Sequence, residues 1–274
     1  MLQWWGLNRE LARWASAGHR LQLWWRDDDA RTPNPSLDRL MDLARRFGTP
    51  VTLAVVPDWD RSALGARLAC ERQAVVIQHG VDHRNAADGG GPKAEFPDRY
   101  PREVMETRLT EARQRLSVMP RFAPVFAPAW NQVHRDLEGA LRATGYCGLS
   151  AFGAPLSRER GFTRLDVHVS LMGAGGEGAF PGADALVANL TRLARARRRG
   201  GQWDQPIGLQ TRHLDHSDAA WACLEAILDR TSASSAVRWR SINDLLAGGR
   251  ARRPVEPAQA AAWPTARKRG RAPV

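Results

Sequence analysis

The chain has 274 residues, 43% of them hydrophobic, enough for one large domain or two small ones. A net charge of +11 with pI near 11.0 raises a polyanion-binding reading. No apolar run approaches the roughly 20 residues of a membrane helix, and three cysteines far apart, with no CxxC pair, argue against a disulfide framework or a thiolate zinc knuckle.

The first residues, MLQWWGLNRELARWA, lack a basic segment followed by an apolar one, so a cytoplasmic location is expected. Asn8 to Ala17 reads as a short helix, with Leu11 and Trp14 spaced for one face. Leu21 to Trp25 has the composition of a buried strand and runs into Asp27, Asp28 and Asp29. Adjacent carboxylates repel, and burial adds to their cost. A cation among them removes both penalties; a solvated acidic turn before the next helix is the plainer alternative.

Asn34-Pro35 predicts a helix start, Leu37, Leu40, Met41, Ala44 and Phe47 its inner face, and Gly48 its stop. Val51 to Val56 reads as a buried parallel strand, Asp58 to Arg72 as helix and Ala74 to Ile77 as strand. A second polar cluster, His79-Gly80-Val81-Asp82-His83, follows. Pro101 to Met119 predicts a helix and Phe122 to Phe126 a strand ending in Ala127-Pro128-Ala129-Trp130-Asn131. Then come a helix over Asp136 to Thr144 and strands over Tyr146 to Ala151 and Phe162 to Leu171. The glycine-rich Gly173 to Gly178 has no phosphate-loop spacing. Ala183 to Arg198 reads as helix, and Pro206 to Thr211 as a strand leading to Arg212-His213-Leu214-Asp215-His216. Ser217 caps a further helix, and Trp239 to Leu246 closes the domain.

Strand and helix alternate throughout, which implies a mostly parallel sheet with helical crossovers, open or closed into a barrel. The polar clusters end predicted strands one, three, four and last, positions that share one face of a (β/α) barrel. One domain is expected over residues 1–248, followed by a basic, disordered tail over 249–274. The Arg192 to Arg199 run and this tail carry much of the positive charge. Neither has the interleaved aromatics of an RNA reader, so polyanion contact by the tail is the extent of a nucleic-acid expectation.

His79 and His83 with a nearby Asp form a standard ligand set for a catalytic divalent ion such as zinc. The order Asp-Asp, HxxxH, Pro-aromatic turn and late strand with His resembles the polysaccharide deacetylase (NodB-homology) family, over roughly Leu21 to Leu246. The resemblance implies a distorted (β/α) barrel and metal-dependent removal of acetyl groups from N-acetylated sugars. Matching Asp-Asp-Ala here to the family's Asp-Asp-Gly implies Asp28 as base and Asp29 as metal ligand with His79 and His83. A register one residue earlier uses Asp27 and Asp28. Phe126 to Asn131 is similar to the family's Phe-Arg-Pro-Pro-Tyr-Gly turn, with Trp130 at the aromatic position whose N–H helps hold the oxyanion.

Two departures stand out. Ala127 occupies the place of the family's Arg, which orients the base, leaving Arg26 or Arg212 as substitutes. The family's Leu-x-His is disturbed at Leu209 to His213, so His213 is taken as general acid, with His216 behind it. Asp166 and His168 match the family's fourth motif weakly. Trp25 and Trp130 offer an apolar floor for a sugar ring or acyl methyl, core packing being the other use of Trp25; Pro128 and Asn131 join them as substrate-binding residues.

The expected reaction is hydrolysis of an acyl, foremost acetyl, amide on a small-molecule or oligosaccharide substrate. Two other classes are a metal-binding member without catalysis, suggested by Ala127 and the disturbed last motif, and a basic module that binds nucleic acid or acidic polymer.

Overall fold

The structure is a computed structural model that describes residues 2–57, 61–89, 91–173 and 179–248. The tail at 249–274, the loop positions 174–178 and the first residues of the helix expected from Asp58 lie outside them.

Eight helices and ten strands form among the described residues: α1 (Leu2–Ser16), β1 (Leu21–Ala30), α2 (Pro35–Arg46), β2 (Val51–Val55), α3 (Arg61–Leu68), β3 (Ala74–His79), α4 (Arg102–Leu116), β4 (Phe122–Ala127), α5 (Leu137–Ala143), β5 (Gly148–Leu149), β6 (Ser157–Glu159), β7 (Phe162–Arg164), β8 (Val169–Ser170), α6 (Ala183–Arg199), β9 (Ile207–Thr211), α7 (Asp218–Ser232), β10 (Val237–Trp239) and α8 (Ile242–Ala247). Their ends follow local chemistry. Asn34 accepts a hydrogen bond from Leu37 N ahead of Pro35, and Ser217 and Ser241 cap α7 and α8 on Ala220 N and Asp244 N.

The sheet order is β6-β7-β5-β4-β3-β2-β1-β9-β8, with β10 beside β1. All pairings are parallel except β6 with β7. The sheet also returns on itself. The stretch from Phe162 to Ser170 pairs with β5 through Thr163 and Arg164, bridges Phe152 through Val167, and pairs with β9 through Val169 and Ser170. One predicted strand, Phe162 to Leu171, is therefore two short strands with a bend, and the pair closes a distorted (β/α) barrel. Tyr146 to Ala151 shortens to Gly148–Leu149, and β6 was not expected from the sequence.

Strand alternation divides the core. Trp24, Ala54, Ile77, Val125, Leu165 and Val167 pack together inside the barrel. Leu21, Leu23 and Trp25 point outward to the larger core under α1, α2, α6 and α7. Gly208 marks the tightest wall: a Cβ there would lie 2.6 Å from Trp24 Nε1 and 2.8 Å from Val167 Cα. No helix among the described residues is long and apolar enough to cross a membrane.

Candidate active site

β1 does not stop at Trp25. It continues through Ala30, carrying all three aspartates inside the fold at 0%, 2% and 5% exposure for Asp27, Asp28 and Asp29, so the solvated-turn reading fails. The register with β2 shifts between Asp27 and Ala30, and Asp29 has φ 66°. This break in the pleat lets three successive carboxylates face three different partners.

Asp29 faces the histidines. Its Oδ1 lies 3.6 Å from His79 Nε2 and 3.2 Å from His83 Nε2. One ligand atom from each residue falls within 4.8 Å of the others. His79 Nδ1 sits 3.1 Å from the Ala127 carbonyl, to which it can only donate, so Nε2 is the nitrogen turned toward Asp29. Burial, then His79, push the His83 imidazole down to about 4, so that ring is neutral near pH 7. Asp29 Oδ1 has no hydrogen-bond partner although buried. Two imidazole nitrogens and a carboxylate oxygen converging on one point are a donor set that fits a divalent ion of the zinc type. Burial opposes the Asp29 charge, but His79, Arg212, His83 and Arg31 together hold its carboxyl below the ordinary range. Arg212 Nε is 2.9 Å from Asp29 Oδ2.

Asp28 faces Arg26. Arg26 Nε lies 2.8 Å from Asp28 Oδ1, and Nη2 donates to Oδ2 at 2.9 Å. The two residues are two apart on the strand and share the inner face with Trp24. Gln210 Nε2 donates to Asp28 Oδ2 at 2.6 Å. The Arg26 guanidinium, fully buried, also donates to Ser150 O and Oγ and to Asn131 Oδ1. An arginine thus orients Asp28 although position 127 is alanine, and it comes from the aspartate's own strand.

Asp27 faces His213. Asp27 Oδ1 is 2.5 Å from His213 Nδ1; Oδ2 accepts from Thr211 Oγ1 at 2.6 Å and from His213 N at 3.1 Å. Burial opposes charge on His213, but Asp27, with Asp29 and Asp215, outweighs it and raises the imidazole above its ordinary value. His213 Nε2 is left without a partner. His216 stays apart: its Nε2 accepts from Arg212 N, its ring meets Trp221 edge-on, and burial lowers it to about 4.

The turn after β4 supplies the aromatic. Trp130 and Asn131 both have positive φ, and the half-buried Trp130 ring is 4.6 Å from that of His83. Pro128 precedes this turn, and Asn131 holds Arg26. Trp25 is placed otherwise than expected for a substrate floor. It is 1% exposed, packs in the outer core and donates Nε1–H to Thr211 Oγ1, so it offers a substrate no open face. Asp166 and His168 also lie off the site. Asp166 accepts from Ala151 N and Ala154 N, and His168 binds Ala154 O, Arg197 and Gly208 N, so both brace the barrel closure. Sequence reading missed Gln210, Ser150 and Glu95. The last is a buried carboxylate under the His79 to His83 loop that no motif spacing marks.

No protein-family model matches the chain, and no curated protein matches it by sequence. Its fold is that of the polysaccharide deacetylases. A Mycobacterium smegmatis protein assigned as a polysaccharide deacetylase superposes with TM-score 0.63 at 14% identity, over 93% of this chain and 96% of that one. The Bc1960 peptidoglycan N-acetylglucosamine deacetylase gives 0.52 at 12% identity, over 82% and 88%. Puue allantoinase gives 0.57 at 12% identity, over 87% and 93%. A fold shared by sugar deacetylases and an allantoinase does not choose the chemistry; the side chains must.

Proposed function

We propose that the chain is a metal-dependent hydrolase that removes an acyl group, foremost acetyl, from an N-acetylated sugar or a related amide. The observation that carries this reading is the sorting of the three aspartates, each to a partner suited to one role. Asp29, His79 and His83 would hold a divalent ion, most simply zinc, which supplies a Lewis acid for the acyl carbonyl and eases proton loss from water. Asp28, clamped by Arg26, takes that proton as general base. His213, held by Asp27 through Nδ1, presents Nε2–H to the leaving nitrogen, because an amide anion is too basic to depart unprotonated. The Trp130 backbone, turned into the left-handed region beside His83, is the candidate oxyanion donor. Trp130 and Pro128 border the substrate, while Asn131 acts through Arg26.

Arg26 weakens the case for a family member without catalysis, since the missing arginine at Ala127 was one of its two supports, the disturbed last motif being the other. The test is zinc content of the purified chain, then acetate release from a panel of N-acetylated amino sugars with and without chelator. Zinc retained but no acetate from any substrate would reject hydrolysis; acetate release unaffected by chelator would reject the metal.

A further inference from the structure

The loop that carries His83 is built around a carboxylate outside every motif. Glu95 is 4% exposed. Its oxygens accept from Val81 N and Asp82 N at 3.1 Å and from His83 N. Three successive N–H groups converging on one anion make a nest. Nests commonly take an external phosphate or carboxylate; this one is filled from the same chain, twelve residues past His83.

Two further observations fit the loop to that group. Gly80 has φ 59°, and a Cβ there would lie 2.5 Å from the Glu95 carboxylate, so only glycine lets the loop close over it. His83 itself has φ 56°, a left-handed conformation that is unfavourable for a non-glycine residue and must be held from outside. On the other side Gln78 donates to Gly80 O, and Tyr146 donates to Gln78, so the loop's start is fixed to β3. What remains adjustable is the path from Val81 to His83, and Glu95 is its only carboxylate acceptor among the described residues.

We infer that Glu95 is a positioning residue for the metal centre: it locks His83 in its left-handed turn so that Nε2 faces Asp29 before any ion arrives. This rests on the metal reading above. The charge of Glu95 does not coordinate; its oxygens set the backbone, and the backbone sets the ligand. Removing it releases three N–H groups and lets His83 relax out of reach.

Zinc dissociation constants of the full chain, measured by chelator competition at a temperature where every variant is folded, test this. Glu95→Ala should weaken zinc binding about 10–100-fold, the usual worth of a group that orients a ligand. Glu95→Gln, which keeps one acceptor oxygen, should lose less. Gly80→Ala should weaken zinc binding too, and the double variant Gly80→Ala/Glu95→Ala should lose less than the two single losses combined, because both act on one contact. A lowered melting temperature with zinc affinity unchanged in both Glu95 variants would reduce Glu95 to general stability and overturn the inference alone. A wild-type chain that takes up no zinc would overturn it together with the metal reading.

Discussion

Asp27→Asn changes one atom and separates the roles of adjacent carboxylates. The carboxylate lies 2.5 Å from His213 Nδ1 and also accepts from Thr211 Oγ1 and His213 N. The amide can keep the last two bonds but loses the charge. A hydrogen bond to a charged group is worth about 1.5–3 kcal/mol and a neutral one about 0.5–1.5, so about 1–2 kcal/mol should go. The sign follows from the direction of the shift. His213 is raised in the folded chain, so its contribution to stability is fully present below the ordinary histidine value near pH 6.5 and is lost as pH rises through its folded value. The variant should therefore be less stable than wild type at pH 6 and approach it at high pH. Turnover of an N-acetyl substrate should fall about 10²–10⁴-fold at neutral pH, the worth of a general acid, with its basic limb moved to lower pH. Zinc content should not change. The assays are urea unfolding at several pH values and a pH–rate profile. A basic limb that stays in place, with turnover within about threefold, would refute the pairing as catalytic.

Asp29→Asn should abolish zinc retention, whereas Asp28→Asn should keep zinc and lower turnover about 10²–10⁴-fold; metal analysis beside kinetics checks both, and the reverse pattern would restore the earlier register. Arg26→Met should cost roughly 3–5 kcal/mol in urea unfolding by leaving Asp28 buried without its cation; an unchanged midpoint would contradict the clamp. Gly208→Ala, meeting the Trp24 ring and Val167 backbone, should destabilise by about 1–3 kcal/mol with zinc affinity retained, since it strains the wall and not the site.

The elements that sequence made legible are those with a strong local signal. Apolar period and caps mark α2, α4, α6 and α7 to within a few residues, and β-branched runs mark β2 and β3. The distorted barrel was implied by the family resemblance, but the strands that close it were not legible, because β5, β7 and β8 are two or three residues long and their pairing is set by what lies opposite, not by their own composition. The convergence of Asp29, His79 and His83 was readable since HxxxH and an acidic strand end carry their chemistry in residue type. Arg26 was readable only as one of two substitutes: a buried arginine in an apolar strand looks the same on paper whether it meets Asp28 or solvent. Asp27 was read only as the base of an alternative register with Asp28; its pairing with His213 carried no sequence signal, because the two residues meet across β1 and the end of β9. Glu95 gave no signal at all, as its meaning lies in the N–H groups of a loop folded over it.

The bulge in β1 explains why the chain spends three consecutive aspartates where neighbours would repel. In an unbroken strand Asp27 and Asp29 would project side by side, and one would have to take up a proton. The register shift and the left-handed Asp29 turn them apart. Each then meets its own partner: His213 for Asp27, Arg26 for Asp28, Arg212 for Asp29. Asp29 nonetheless keeps Oδ1 without a hydrogen bond, 3.9 Å from Arg31 Nη2 and pointed at two imidazole nitrogens. Arg212 occupies Oδ2 at 2.9 Å, and Arg31 comes no nearer to Oδ1 than 3.9 Å, so neither arginine sits at the point where the two imidazoles and Oδ1 converge. A divalent ion is what the proposed function would place there, and on that proposal the one strand would supply the ligand, the base and the partner of the acid within three residues.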